Sequence, residues 1–301
     1  MSAPLVIGVD VGGTKILSGV VDLEGSILRS KEVETPAGSG RQVLDTLAAS
    51  IGGLLDDRIA AIGLGVPSHL ERSTRRILHA TNMSLEDVDL GSWASDRFGL
   101  PAGVENDANA AALAEWKLGA GRGASNLVVL TLGTGVGGGL VLDGRLHRGW
   151  AELGHVVVQV DGPPCQGACH GRGHLEALVS GTAADRAARE LWGDDADSHT
   201  LVRRTREGDA RAAAELERMG HVLGVAIGSF LNVFDPELVI VGGGFGMAAG
   251  DLLLEPARVA AMREALSPAD HGLRLVPAQL GPEAGLVGAA LVAFAELDEV
   301  G

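Results

Sequence analysis

Basic residues are scarce in this sequence: 24 Lys and Arg stand against 39 Asp and Glu, for a formal net charge of -15. A broad nucleic-acid footprint needs clustered Lys and Arg, and no such cluster is present. An anionic nucleotide is not excluded, because loop amides and a metal ion can hold phosphates locally. Cysteine is nearly absent too. Cys165 and Cys169 are the only two, which excludes a disulfide-rich secreted scaffold. The opening MSAPLVIGVDVGGTK has no basic segment followed by a cleavable apolar core, and Gly, Asp or Pro interrupts every apolar run before membrane-spanning length. A soluble, cytoplasmic protein is therefore expected. Apolar residues, by contrast, make up 46% of the 301, enough for two medium domains. The 45 glycines sit largely in clusters after apolar runs, where a backbone turns sharply or approaches a ligand.

LVIGVDVGGT (5–14) reads as a β-strand running into a turn, and SGVVDLEGSIL continues it with DLEG (22–25) as a hairpin turn. Helical spacing follows over 41–55, a strand over 59–68, short helical signals over 84–99 and a short strand over 100–107. ANAAALAEWKLGAG (108–121) is an Ala-rich helix stopped by glycine, with Asn106 and Asp107 at its N-terminus. The stretch 124–149 then repeats the opening plan: apolar strand, Gly/Thr turn, second strand, Asp-Gly turn, third strand. Two copies of one plan imply two related domains. Residues 161–172 are irregular and hold both cysteines. Helices are expected over 175–191, 200–214 and 216–234, a strand into a glycine turn over 236–244, a short strand over 273–276 and a closing helix over 285–297.

The turns carry the first chemical signal. Asp10, Gly12, Gly13, Thr14 and Lys15 follow the first strand, so that a tight turn presents backbone N–H groups to a phosphate while Asp10 orients hydrated magnesium. LGTGVGGG (132–139) offers a second such turn, with the Thr134 hydroxyl beside the amides of Gly135, Gly137 and Gly138. Gly242, Gly243 and Gly244 form a third. One glycine cluster alone reads better as a bare hairpin turn. Three after strands, two of them in repeated context, favour phosphate. The pattern is neither GxxxxGK[ST] nor GxGxxG after a first strand, so the P-loop and dinucleotide readings are weak. Asn106 and Asp107, taken locally, are a helix cap or a carboxylate placed for proton transfer; Asn109 reads as structural.

DVGGTK, GVENDANAAALAE, LGTGVGGG, ELGH, the Cys-containing loop and VIVGGG occur in this order and span nearly the whole chain. In this the sequence resembles the ROK family of sugar kinases, and within it the bacterial glucokinases. The resemblance implies an α/β fold of the actin-like, ribonuclease H-like ATPase class, with ATP and sugar in a cleft between two domains. Those domains are expected at 1–117 plus 286–301, the smaller, and 118–285, the larger. The implied reaction moves the γ-phosphoryl group of ATP, with Mg2+, to the 6-hydroxyl of D-glucose. Asp107 matches the catalytic base. Gly65, Asn106, Glu152, His155 and Glu176 match positions around the sugar, and the three glycine turns match the nucleotide side. Another hexose kinase (for fructose, mannose or an N-acetylated amino sugar), a catalytically silent sugar-binding protein and a generic two-domain ATPase are the other readings. GVPS stands where GVPG is more familiar, with His69 and Glu71 following, which bears on sugar identity. Asn82 is either a turn residue or one that reaches the cleft. Repressor relatives carry an N-terminal DNA-binding region, and a first strand beginning by Leu5 leaves no room for it. A homodimer is expected by analogy.

The resemblance also points to structural Zn2+. His155, Cys165, Cys169 and His174 form H-x9-C-x3-C-x4-H, with His170 as an alternative fourth ligand. A Cys2His2 set suits zinc. The ion would tie the irregular loop together and fix His155, leaving its other ring nitrogen to face the sugar.

Overall fold

The computed structural model describes residues 3–71, 74, 76–80, 85, 88–167, 169–266 and 272–300. The chain divides into two units, Met1–Leu118 with Arg148–Trp150 and Glu283–Gly301, and Gly119–His147 with Ala151–Pro282.

In the first unit, Leu5–Val11 (β1) is apolar along almost its whole length, as a strand covered on both faces must be. It pairs antiparallel with Lys15–Val21 (β2), which pairs antiparallel with Ile27–Glu34 (β3). β3 carries Arg29, Lys31, Glu32 and Glu34 at the sheet edge, where charge discourages pairing with another chain. The helix Gly40–Gly52 (α1) follows, capped by a reciprocal Ser39–Gln42 box. Ile59–Val66 (β4) then lies parallel to β1. Ser68–Leu70 (β5) and Ile77–Ala80 (β6) make a separate hairpin, Leu90–Phe98 (α2) follows, and Ala102–Asn106 (β7) lies parallel to β4. Strand order is β3-β2-β1-β4-β7. Asp107–Lys117 (α3) leaves β7 directly.

The C-terminal helix, Ala284–Val300, packs on this sheet at backbone distance. A Cβ at Gly63 would lie 1.8 Å from the Ala289 carbonyl, and one at Gly8 would lie 2.3 Å from the Leu286 carbonyl. Glycine there is a requirement of close approach.

The second unit repeats the plan. Leu127–Leu132 (β8), Val136–Leu142 (β9) and Arg145–Leu146 (β10) form the antiparallel part. After the metal-loop region come Leu175–Val179 (α4), Gly181–Trp192 (α5), Ser198–Arg206 (α6) and Ala210–Phe234 (α7). Leu238–Gly242 (β11), Gly244–Ala249 (α8), Asp251–Glu264 (α9) and Leu275–Pro277 (β12) complete it. Strand order is β10-β9-β8-β11-β12, with β11 parallel to β8 and β12. The order and the strand senses match those of the first sheet.

Two helix breaks and one whole helix differ from the sequence reading. The helix expected over 175–191 is two, because the Ser180 hydroxyl accepts from Ala183 N and starts a new helix. The break expected near 215 falls at 207–209 instead. Gly208 takes φ 90°, and Asp209 accepts from the amides of Arg211 and Ala212. α9 was not anticipated. It contains Pro256, whose ring packs against Gly220 of α7. No helix among the described residues is long and apolar enough to cross a membrane.

Substituting Gly63 by alanine drives a methyl group into the backbone of the C-terminal helix. Overpacking of this kind costs about 1–3 kcal/mol, so Gly63→Ala is expected to lower the unfolding temperature by several degrees in a calorimetric scan. An unchanged transition would contradict the close packing.

Candidate active site and metal centre

β1 ends at Asp10 and turns through Gly12, Gly13 and Thr14 into β2. The turn is closed by Gly12 N donating to Lys15 O at 2.9 Å, and its carbonyls are tied from outside. Thr35 donates through its hydroxyl to Gly12 O at 2.6 Å and through its amide to Thr14 O at 2.9 Å. Lys15 reaches Glu32 of β3 at 2.7 Å, both side chains about half exposed. Burial, and after it the charge of Asp107, push the Asp10 carboxyl from its ordinary 3.8 up to about 7, with Lys15 pulling the other way. Two carboxylates that repel each other at a strand end form a place that a divalent cation would stabilise.

The junction of β7 and α3 is built on Glu105, which is 1% exposed. Its Oε1 accepts from Asn106 N at 3.0 Å and from Asn109 Nδ2 at 3.1 Å, and its Oε2 accepts from Arg148 Nε at 3.1 Å. Asn109 is itself buried, in keeping with the structural role read for it. Asn106 is the helix cap: its Oδ1 accepts from Asn109 N at 3.0 Å, while its Nδ2 donates to Ser68 O at 3.3 Å. Asp107 occupies the first helical position, and its Oδ1 accepts from Ala108 N at 2.9 Å. The capping duty thus falls on Asn106. Gly65, at the end of β4, lies against this turn, with its Cβ position 3.8 Å from the Asp107 Cα. His69 stacks on the exposed Trp150, ring centroids 4.6 Å apart. Asn82 lies outside the described residues.

In the second unit, the equivalent turn joins β8 to β9. Thr134 and Gly135 lie in it, but Gly137 and Gly138 lie within β9, paired with Thr131 and Leu130. A Cβ at Gly138 would meet the Leu153 side chain at 2.6 Å, so packing accounts for that glycine. Gly242 ends β11, Gly243 turns at φ 79° against the backbone of Leu132, and Gly244 opens α8. Glu152 precedes the short 3-10 turn Leu153–His155. Glu176 Oε2 accepts from Val136 N at 2.9 Å, which sets it against the β8–β9 turn.

One donor atom from each of His155, Cys165, Cys169 and His174 lies within 4.8 Å of all the others. His170 is not in the group. The two Nδ1 atoms are 3.2 Å apart, Cys165 Sγ is 3.7 Å from His155 Nδ1, and Cys169 Sγ is 3.5 Å from His174 Nδ1. Ligands on a tetrahedral ion, with metal bonds of about 2.05 Å to nitrogen and about 2.3 Å to sulfur, would be separated by about 3.3 Å for N···N and about 3.6 Å for S···N. These three separations are those that ligands of a four-coordinate metal would have. The segment is folded back on itself, with Cys165 N donating to Gly171 O at 2.9 Å, and Gly171 N donates to Cys169 Sγ at 3.4 Å. Burial holds the Cys165 thiol up at about 11, against the pull of the Gln166 amide. A bound cation supplies the compensating charge that favours the thiolate.

Four contributors were not picked out from the sequence. Glu105 and Arg148 are 43 residues apart, and only a lone acid in an otherwise apolar strand hinted at the pair. Gln166 and Thr182 both bond to Thr134 O, and nothing local marks either.

The duplicated units are those of the actin-like, ribonuclease H-like ATPase fold. The ROK family profile matches residues 6–296, and the chain belongs to the ROK family. It is 35% identical over 309 residues to the glucokinase of Streptomyces coelicolor, covering 95% of this chain and 96% of that one. It is 32% identical over 296 residues to the N-acetylmannosamine kinase of Shigella boydii, covering 96% and 98%. Among solved structures, a ROK family glucokinase from Streptomyces griseus, in complex with glucose and AMPPNP, superposes with a TM-score of 0.86 at 34% identity, covering 97% of this chain and 99% of that one.

Asp10 yields a pH prediction. Its folded pKa is raised, so ionising it costs folding free energy, and the cost grows as pH rises from about 4 and levels off above about 7. In chelator, Asp10→Asn is expected to unfold at a higher temperature than wild type at pH 8, with a smaller gain at pH 5. A difference that does not change with pH would contradict this.

Proposed function

We propose that this protein is an ATP-dependent glucokinase, transferring the γ-phosphoryl group of ATP to the 6-hydroxyl of D-glucose. The observation that carries the reading is the β7–α3 junction, where Asp107 stands at the first helical position beside the raised carboxyl of Asp10. A carboxylate there can orient a sugar hydroxyl and accept its proton as the phosphoryl group leaves ATP. The family membership and the likeness to two glucokinases support the choice of reaction.

Asp10 is the residue to hold hydrated Mg2+, which when bound supplies charge against the phosphates and relieves the repulsion with Asp107. The amides of Gly12, Gly13 and Thr14 in one unit, and of the turn bearing Thr134 and Gly135 in the other, cradle the phosphates. Gly242, Gly243 and Gly244 support the adenosine side. Asn106, Glu152, His155 and Glu176 pair with sugar hydroxyls, an arrangement that discriminates against analogues lacking one. His155, Cys165, Cys169 and His174 would hold Zn2+. It would supply only cross-linking and orientation. His155 would use Nδ1 for the ion and keep Nε2 for the sugar. A kinase for an N-acetylated amino sugar is the second reading, favoured by the Shigella boydii relative. Comparing kcat/KM for glucose, mannose, fructose and N-acetylmannosamine separates the two.

Asp107→Asn is expected to lower kcat by about 10²- to 10⁴-fold, with glucose binding and unfolding temperature near wild type. Near-wild-type turnover would remove Asp107 from the mechanism. Metal analysis of the purified chain is expected to find one zinc per chain, lost in Cys165→Ser/Cys169→Ser. Retention of zinc in that double variant would overturn the ligand assignment.

A further inference from the structure

We infer that Gln166, carried by the metal-binding segment, is a positioning residue for the phosphate-binding turn between β8 and β9, so that this segment governs nucleotide affinity as well as sugar binding. The inference rests on the proposed kinase reading for the identity of the ligand.

The turn is held by its carbonyls. Thr134 O accepts from Gln166 Nε2 at 3.0 Å and from Thr182 Oγ1 at 2.8 Å. Gly133 O accepts from Gly181 N at 2.7 Å, and Glu176 takes the Val136 amide at 2.9 Å. In a trans peptide the C=O and the following N–H point in opposite directions. Tying Thr134 O to Gln166 and Thr182 therefore aims the Gly135 N–H away from them, on the open side of the turn. The tied side is filled: a Cβ at Gly135 would lie 2.3 Å from Glu176 Oε2 and 3.7 Å from Gln166 Nε2. The Val136 amide is already spent on Glu176, and the tie on Gly133 O aims the Thr134 N–H the same way, which leaves the Thr134 and Gly135 N–H groups as the donors the clamp presents.

Two of the three clamping side chains come from the metal-binding segment. Gln166 follows Cys165 directly, and Glu176 lies two residues beyond His174. Glu176 also borders the cluster itself, its Oε1 lying 3.8 Å from Cys165 Sγ. The turn of the first unit is tied differently. Thr35, the residue after β3, bonds to Gly12 O and Thr14 O. Within the second unit, the turn is thus coupled to the cysteine loop. The same hydrogen bonds give the loop's sequence a purpose: a glutamine between the cysteines reaches where alanine or glycine could not.

The test compares Gln166→Ala and Gln166→Glu with wild type. The glutamate variant keeps the size but turns an acceptor towards a carbonyl. One hydrogen bond of this kind is worth about 3- to 10-fold in an equilibrium. The Kd for MgADP, by calorimetry, is expected to rise by about that factor in Gln166→Ala and by more in Gln166→Glu. Amide exchange in the peptide spanning 132–137 is expected to quicken, while zinc content and glucose Kd stay within about twofold. MgADP affinity and exchange both unchanged in the two variants would overturn the inference, as would weakened glucose binding with nucleotide affinity intact. Wild type that fails to phosphorylate glucose would sink the kinase reading, yet the exchange comparison would still decide the positioning role.

Discussion

A carboxylate buried to 1% exposure is tolerable only with partners, and Glu105 has them on both oxygens. Leaving a buried charge without its partner typically costs about 3–5 kcal/mol. That penalty makes the junction of β7 and α3 rigid, because the amide of Asn106 and the side chain of Asn109 are held by the same oxygen. Asn106 is then free to cap α3, and the next residue, Asp107, inherits a fixed position at the helix start. The base proposed for phosphoryl transfer is set by a neighbour that does no chemistry.

The second unit reaches a similar end by other means. Its turn is fixed by side chains from α5 and from the cysteine segment, which gathers four donor atoms within 4.8 Å of one another. In both units a threonine hydroxyl anchors a turn carbonyl, Thr35 in one and Thr182 in the other. Carbonyls tied back and amides left forward is the backbone arrangement that phosphate binding needs. Each sheet carries the turn, and each unit braces it with its own side chains.

Much of this was legible in the sequence because it is local. Alternating apolar strands punctuated by Gly and Asp revealed both hairpins and their repetition. The resemblance pointed to His155, Cys165, Cys169 and His174, whose donor atoms the structure brings within 4.8 Å of one another, a group that does not include His170. Asn106 and Asp107 could be placed at a helix start, though not which of them capped it. What could not be read depends on contacts across many residues. Arg148 finds Glu105 from 43 positions away, and Thr182 finds Thr134 from 48. α9 escaped notice because Pro256 reads as a helix breaker, and only the glycine face of α7 explains why its ring is accommodated. LGTGVGGG (132–139) read as one phosphate turn, whereas Gly137 and Gly138 lie within β9 and the Leu153 side chain packs on Gly138.

The central claim is that glucose is the acceptor and that ATP is turned over only when a sugar hydroxyl stands before Asp107. Following the reaction by phosphorus and carbon NMR, with MgATP and glucose labelled at carbon 6, tests it most directly. The account predicts equal formation of ADP and of a phosphate ester at carbon 6, with negligible ATP hydrolysis when glucose is left out. Full-rate hydrolysis without sugar, or no ester at carbon 6, would contradict it.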